Sequence, residues 1–445
     1  MCGIVGYWGR AGDLDLVRRM CDTIVHRGPD DEGIHLGERV ALGMRRLAII
    51  DRAHGAQPIS NEDGTITVVY NGEIYNHDEL RERLKARGHQ FRSRADTEVL
   101  VHGYEEWGEE GLLSRLNGMF AFAIHDARRD RLFLARDRLG IKPLYYTRQG
   151  GVLYFVSEVK ALMPVDEVSF QPDEAVVPEY LALRYVPAPR TLFRGIHKIP
   201  AGHYMTVDAG GNDRIVRYWY PEAPNEKLRD DEYLQRFAEL FEDAVRIRLM
   251  SEVPLGAYLS EGLDSNLVVW AMSRGLEKTV STYSIGFGGK YDETAAARRS
   301  AEILGTNHNE IHFDETDFED LAKVIWHLDE PIGDAHVLPS FILAREARKS
   351  LTVVLLGEGA DESLYGYPFY KVSWLARALT RPFPAALTER VLPGLLEAMP
   401  LGLLNAVFPL PAELGEEGRR HLSSFLRAAP RGQGEHLFRL LSGGR

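Results

Sequence analysis

Apolar positions along this chain follow two different rhythms. In the first two hundred or so residues they come as short runs and alternations that predict strands, broken by stretches of helical spacing. Cys2–Trp8 reads as a buried strand with Cys2 at its start, and Asp13–Val25 as a helix. A turn-rich loop, His26–Asp30, follows, and then a strand over Arg45–Asp51. Val68–Tyr70 predicts a strand ending in an Asn71-Gly72 turn. Helices are expected over Asp78–Arg87 and Val99–Trp107, a hairpin from Gly118–Ile124 and Arg131–Asp137, and a strand at Tyr154–Glu158. From Asp230 onward, strands and helices alternate. Asp230–Met250 has Leu234, Phe237, Phe241, Ala244, Val245 and Leu249 on one helical face. Strands are expected at Val253–Leu259, Val280–Phe287, His308–Phe313 and Leu351–Leu356. Between them lie helices Asn266–Arg274, one capped by Tyr291-Asp292-Glu293 and running to Leu304, Asp317–Asp329 and Leu338–Lys349. Such alternation predicts a parallel sheet with ligands at the strand ends.

A chain of 445 residues is too long for one core. The change of rhythm divides it into a domain at 2–200, a proline-bearing linker at 201–229 and a second domain at 230–445. A net charge of -12 argues against a broad nucleic-acid footprint but permits a local phosphate pocket. The only cysteines are Cys2 and Cys21, so a disulfide scaffold is excluded and a reducing cytoplasm is the expected setting. Cys21 is expected to pack as a small hydrophobe. No signal peptide is expected at the N-terminus. The long uncharged run, 398–412, is interrupted by Pro400, Pro409 and Pro411, so no membrane span is expected.

Two stretches carry candidate chemistry. Removal of Met1 would leave Cys2 with a thiol and a free α-amine, whose reference pKa of about 7.7–8.0 lets it act as a base near neutrality. That is a self-contained nucleophile. The second stretch is Val253–Leu259, Ser260-Glu261-Gly262-Leu263-Asp264-Ser265 and the helix after it. A strand, a small-residue loop and a helix start together make an anion site, because backbone N–H groups and the helix dipole face the ligand. Gly357-Glu358-Gly359-Ala360-Asp361-Glu362 follows another strand, and no G-x-x-x-x-G-K-[ST] loop occurs.

The motifs C-G-I-V-G, H-R-G-P-D, R-R-L-A-I-I-D, Y-N-G-E-I-Y-N, A-D-T-E-V, G-M-F-A-F-A-I, R-D-R-L-G-I-K-P-L-Y-Y and S-E-V-K-A-L follow one another from Cys2. In this order they resemble class II glutamine amidotransferases, and most closely the glutamine-hydrolysing asparagine synthetase family. The resemblance implies an α/β two-domain protein: an N-terminal αββα N-terminal-nucleophile hydrolase sandwich, and a parallel-sheet domain of the adenine-nucleotide α-hydrolase type, short at its C-terminus relative to the family. It implies that Cys2 attacks glutamine, with the Asn71 amide and the Gly72 N–H stabilising the oxyanion. Such donors are worth about 3–4 kcal/mol each. Arg46 would take the glutamine carboxylate as a bidentate donor. Leu47 and Ile49 would line the substrate, and Glu73 and Asp96 would hold its ammonium. In the second domain Leu259, Ser260, Gly262, Asp264, Ser265, Ile285, Gly357, Glu358 and Asp361 would bind ATP. Asp264 and Asp361 would carry Mg²⁺, a hard cation that takes oxygen ligands, and Glu358 is expected at the acyl-adenylate. Asp329-Glu330-Pro331 is expected either beside the nucleotide or simply at a helix end. The implied reaction passes ammonia from glutamine to an acyl-adenylate made from ATP and a small carboxylate, aspartate first of all. A homodimer is expected, with no nucleic-acid or membrane partner.

Three departures from the family pattern bear on the second domain. Glu261 replaces a glycine; a left-handed backbone there would cost about 1–2 kcal/mol, and a carboxylate near a phosphate about 4 kcal/mol. Tyr365 also replaces a glycine, after G-E-G-A-D-E. The family's R-V-P-F-L-D-type segment and lysine-bearing stretch do not occur in this sequence, although Leu392–Leu414 and the basic Arg419–Arg445 resemble the approach to them. A separate chain supplying that segment is one expectation. Other readings are amidation of a different carboxylate, or a degenerate synthetase half that leaves an ammonia-supplying or partner-binding protein.

Overall fold

The computed structural model describes residues 1–222, 228–289, 292–367, 370, 385–407 and positions 415, 416, 419, 420 and 423. Residues 223–227 of the expected linker, Tyr291 of the expected cap and the basic end beyond Ser423 lie outside the described residues. The chain forms two compact units, the first made of Met1–Glu174, Pro187–Pro331 and Ala335–Leu356.

Two six-stranded sheets dominate the first unit. One contains β1 (Gly3–Trp8), β2 (Asp31–Leu36), β3 (Val40–Arg46), β8 (Tyr145–Gln149), β9 (Val152–Val156) and β10 (Ile196–Lys198), in the order β10-β8-β9-β1-β3-β2. The other contains β4 (Ile59–Ser60), β5 (Ile66–Ile74), β6 (Gly118–Asp126), β7 (Arg131–Arg136), β11 (His203–Val207) and β12 (Asp213–Arg217), in the order β12-β11-β7-β6-β5-β4. Neighbouring strands in both are antiparallel.

The alternation of side chains sorts these strands into layers. Ile4 and Trp8 of β1 meet Val69, Ala121, Ala123, Leu132 and Leu134 in the core between the sheets. Val5 and Tyr7 face the other way, onto α1 (Leu14–Asp22), through Leu16, Val17, Met20 and Cys21. The Asp13 carboxylate caps α1 by accepting the Leu16 N–H at 3.0 Å. Cys21 is an inert buried hydrophobe, its thiol pushed up to about 12 by burial. On the far side, Val68, Tyr70 and Ile74 pack with Phe120 and Phe122 against α2 (His77–Lys85) and α3 (Glu98–Arg115). The result is an αββα sandwich whose strands, covered on both faces, read as near-continuous apolar runs.

Three expected elements lie differently. Asn71-Gly72 is not a turn: both residues lie inside β5, opposite Ala121 and Phe120 of β6. The apolar register of β5 runs on through Ile74, and long-range pairing overrides the turn preference of the dipeptide. The strand expected at Arg45–Asp51 lies earlier, at Val40–Arg46, and residues 47–51 form a loop. Residues 203–217, inside the stretch read as a linker, supply β11 and β12 to the second sheet.

The same unit holds a four-stranded parallel sheet of β13 (Leu255–Tyr258), β14 (Ser281–Gly286), β15 (Asn307–His312) and β16 (Val353–Leu355), ordered β15-β14-β13-β16. One face packs on α5 (Asp230–Arg246), α6 (Leu263–Gly275) and α7 (Thr294–Leu304). The other packs on α8 (Leu321–Leu328) and α9 (Val337–Ala347). Crossover helices cover both faces, as the βα alternation requires. The expected Asp317–Asp329 helix is a 3₁₀ turn, Glu315–Asp320, followed by α8.

The second unit contains α4 (Val177–Leu183), α10 (Ala360–Leu364), α11 (Ala385–Ala398) and α12 (Leu401–Val407). No helix among the described residues is long and apolar enough to cross a membrane.

Gly72 has no room for a side chain, since a Cβ would stand 2.2 Å from the Met119 carbonyl oxygen and 2.7 Å from the Tyr70 ring. Gly72→Ala is expected to destabilise the protein by about 1–3 kcal/mol through overpacking, read as a lower denaturant midpoint at unchanged slope.

Candidate functional site

Cys2 immediately precedes β1 and has the same parity as Ile4, so its side chain turns toward the seam between the two antiparallel sheets and packs on the core there. The Leu47 N–H points to its Sγ at 3.4 Å, and Sγ approaches the Leu47 carbonyl at 3.7 Å. Burial pushes the Cys2 thiol up, against the opposing hydrogen bond from Leu47. No thiolate is preformed here, so a nucleophile at this position needs a base. Burial pushes the Met1 amine down to about 5, with Arg27, Lys142 and Arg348 adding to the effect and Cys2 opposing it.

Val69, Asn71 and Glu73 of β5 share the parity that faces the same seam. The Asn71 side chain is 1% exposed, and among the described residues neither its Oδ1 nor its Nδ2 has a hydrogen-bond partner. A buried amide with no partner is unusual and expensive. The neighbouring backbone has a matching feature. Phe120 donates its N–H to Asp137 Oδ2 and accepts the Asp137 N–H, so its polar groups face β7. Gly72, opposite Phe120, therefore turns its N–H away from β6. Tyr70 and Ile74, two residues to either side, send theirs the same way, to Gln57 Oε1 at 2.7 Å and Asp96 Oδ2 at 2.9 Å.

Arg46 is 6% exposed, and its guanidinium donates to the carbonyls of Ile50, Asp51 and Arg52 at 3.2, 2.8 and 3.3 Å. A Cβ on Gly55 would come within 2.6 Å of Arg46 Nη2. The 47–55 loop thus fixes the Arg46 fork, and Leu47 and Ile49 ride on that loop. Asp96 accepts from the Tyr70 hydroxyl at 2.7 Å, and burial pushes its carboxyl up. Glu73 is pushed up to about 7, first by burial and then by Asp96. The two buried carboxylates repel one another, and Lys142 and Arg248 offset this only in part.

A buried ionic network that motif reading did not assign holds the Cys2 segment. Arg27 donates to the Cys2 carbonyl at 2.9 Å and pairs with Glu158 at 2.7 Å. Glu158 also takes His26 at 2.9 Å and Lys160 at 2.5 Å, and Lys160 reaches Asp329 at 2.7 Å. Asp329-Glu330 ends α8, as one of its two expectations had it, and turns to the sandwich: Asp329 accepts from the Val159 and Lys160 N–H groups, while Glu330 pairs with Lys198 at 2.8 Å. Arg27, Glu158 and Lys160 all lie inside quoted motifs, and their charge within otherwise apolar stretches was the available signal. Lys142, buried and within the field of Glu73, was likewise missed.

In the parallel sheet, Leu259 and Ile285 lie at the C-terminal ends of β13 and β14, and the Leu259 N–H donates to Tyr283. Ser260-Gly262-Ser265 closes on itself. The two hydroxyls are 2.9 Å apart, the Gly262 N–H donates to Ser260 Oγ at 3.1 Å, and Asn266 Nδ2 donates to the carbonyls of Ser260 and Gly262. Gly262 is the N-cap of α6 and offers no side-chain acceptor, so the first turn, which includes Asp264, keeps its N–H dipoles for an anion. These residues fit a phosphate. Glu261 keeps φ out of the left-handed region and its side chain is exposed, so the strain expected there does not arise.

Gly357, Glu358 and Asp361 belong to the second unit. Gly359 caps α10 at φ 91°, Asp361 lies in its first turn, and Glu358 is exposed. Tyr365 takes φ 59°, the left-handed conformation that a glycine there would adopt without cost.

The chain matches the family "Glutamine amidotransferase domain" over residues 1–219 and "Asparagine synthase" over 236–439. It is 36% identical to "Asparagine synthetase [glutamine-hydrolyzing] 1" of Bacillus subtilis over 91% of this chain, and spans 64% of that protein's length. It is 37% identical to "Putative asparagine synthetase [glutamine-hydrolyzing] 2" of Methanocaldococcus jannaschii, over 82% of this chain and 76% of that one. Among solved structures it resembles the glutamine phosphoribosylpyrophosphate amidotransferase of B. subtilis, with 18% identity and a TM-score of 0.39, over 69% of this chain and 65% of that one.

The raised Glu73 carboxyl makes a signed prediction. The folded state holds a proton there up to about pH 7, while the unfolded chain releases it near 4.5. Glu73 therefore opposes folding progressively as pH rises through that window. Glu73→Gln should be as stable as the native chain below about pH 4.5 and more stable above pH 7, by up to about 3 kcal/mol. Denaturant unfolding across this range reads the difference.

Proposed function

The chain belongs to the glutamine-hydrolysing asparagine synthetase family, and from that premise we propose that it releases ammonia from glutamine at Cys2 and uses it, with ATP, to amidate a small carboxylate, aspartate in the first instance. The observation that carries the glutaminase half is the partnerless Asn71 amide, buried on the seam that Cys2 also faces. A substrate oxyanion would satisfy its Nδ2, and the Gly72 N–H is turned away from β6 for the same use. Removal of Met1 gives Cys2 its own amine. That amine takes the thiol proton as Sγ attacks the side-chain carbonyl and returns it to the departing ammonia. Glu73 and Asp96 take the substrate ammonium, which adds to the partial offset that Lys142 and Arg248 give their charge. The Arg46 fork, held by the 50–52 carbonyls, takes the carboxylate.

In the synthetase half, the Ser260–Ser265 loop and the uncapped start of α6 would take the phosphates. Mg²⁺, when bound, would neutralise charge on the departing pyrophosphate, with Asp264 as the acidic residue of the Ser260–Ser265 motif. The 47–52 loop is tied to this half directly. Glu252 donates its N–H to the Ile49 carbonyl at 3.1 Å, and its carboxylate accepts from the Asp51 and Arg52 N–H groups. A loop that holds Arg46 and is itself held by the synthetase half gives each site a mechanical hold on the other.

A second reading, amidation of a different carboxylate, is favoured by Tyr365, whose exposed ring stands on a left-handed backbone within the second unit.

Two measurements test the proposal. Asn71→Ala should lower glutamine hydrolysis about 10²–10³-fold without loss of stability, because the amide has no partner to lose. A parallel drop in stability would mean that its role is structural. Aspartate, ATP and glutamine should yield asparagine, AMP and pyrophosphate; Cys2→Ser should abolish this with glutamine but retain it with ammonia. Glutaminase activity without aspartate-dependent ATP–pyrophosphate exchange would reject aspartate, and exchange with another acid would establish the second reading.

A further inference from the structure

Away from both sites, four side chains from three segments of the sandwich converge. Glu62 lies in the turn after β4, His89 in the turn after α2, and His102 and Glu105 one helical turn apart on α3. One ligand-type atom from each lies within 4.8 Å of all the others. His102 is 1% exposed, and among the described residues neither ring nitrogen makes a hydrogen bond. Its Nδ1 faces Glu62 Oε2 at 3.5 Å. His89 turns its Nδ1 toward the same centre, 3.8 Å from Glu62 Oε1 and 3.9 Å from Glu105 Oε2.

The surroundings are organised around that centre. Each histidine turns its other nitrogen toward a carboxylate: His89 Nε2 lies 3.5 Å from Glu106, and His102 Nε2 lies 3.6 Å from Glu98. Metal-bound histidines use this carboxylate–imidazole arrangement to fix tautomer and ring orientation. The carboxylate oxygens are also anchored. Glu105 Oε1 takes Arg128 at 2.8 Å, and Glu62 Oε1 takes the Gln90 N–H at 2.8 Å. Asn61 Nδ2 donates to Glu105 Oε2 at 3.2 Å. Four carboxylates thus surround two imidazoles, with Arg87 on Glu106, Arg128 on Glu105 and Arg92 on the Glu62 carbonyl as nearby cations.

We propose that Glu62, His89, His102 and Glu105 form a binding site for a divalent cation of the zinc class. Two imidazoles and two carboxylates are a four-coordinate zinc donor set. Bond lengths of about 2.0–2.2 Å require the donor atoms to draw in to roughly 3.4 Å of one another, a movement that turn side chains can make. The bound ion would staple the β4–β5 turn, the α2–α3 connection and α3 together. Asp96, two residues before α3, lies on the stapled segment.

The test uses the full chain carrying Cys2→Ser, so that the Cys2 thiol cannot capture the ion, with excess Mg²⁺ present to occupy oxygen-only sites. After chelation and dialysis, Co²⁺ is titrated in. One equivalent should bind with the visible absorption of a four-coordinate centre, and Zn²⁺ should raise the unfolding midpoint. His89→Ala with Glu62→Gln, both on turns, should weaken binding about a hundredfold or more, and Glu106→Gln about tenfold. Absence of the absorption, or its persistence in the His89/Glu62 variant, would overturn the proposal. So would an imidazole NMR titration showing His102 held as an imidazolium on Glu62 with no uptake of metal.

Discussion

The constraint on which the rest depends is the seam between the two antiparallel sheets, where apolar packing ends and polar groups are buried without their own partners. Ile4, Trp8, Val69, Leu134 and Phe155 are among the apolar side chains that fill it. At one end, Cys2, Asn71 and Glu73 occupy positions that the strand register would otherwise fill with hydrocarbon. A partnerless amide and a carboxyl pushed up to about 7 oppose folding. A substrate with a carbonyl oxygen and an ammonium would relieve both, so the fold holds in reserve the interactions that ligand binding would complete.

Holding such a site open requires rigidity elsewhere. Arg27 fixes the Cys2 carbonyl, and Glu158 gathers Arg27, His26 and Lys160. Lys160 and Lys198 then bind Asp329 and Glu330 at the end of α8. Removing one partner from such a buried pair typically costs about 3–5 kcal/mol, so the network acts as a unit. It joins the strand that follows Cys2 to a helix of the parallel-sheet half, and the Glu252 contact with the 49–52 backbone is a second tie. The first tie runs through buried charge, the second through backbone groups and the exposed Glu252 carboxylate.

Much of this was legible in the sequence, and the rest was hidden for physical reasons. Strand and helix periods separated the sandwich from the parallel sheet, and Cys21 packs as its neighbours imply. Asn71-Gly72 misled because the turn preference of that dipeptide is local, whereas its place in β5 is set by pairing with β6. Residues 203–217 look like a linker because two short strands between turn residues carry little periodicity of their own. The left-handed strain expected at Glu261 does not arise, while Tyr365, for which no backbone expectation was drawn, is the one held in the left-handed region. Glu62, His89, His102 and Glu105 have no motif spacing; only the fold brings them together.

The most direct test of the central claim is an intact-mass measurement after incubation with a glutamine analogue bearing an electrophilic carbon in place of the side-chain amide. The account predicts a chain lacking Met1 that gains one adduct, mapped to Cys2 and suppressed by excess glutamine. A chain that keeps Met1, or an adduct on Cys21 that glutamine does not protect, would contradict it.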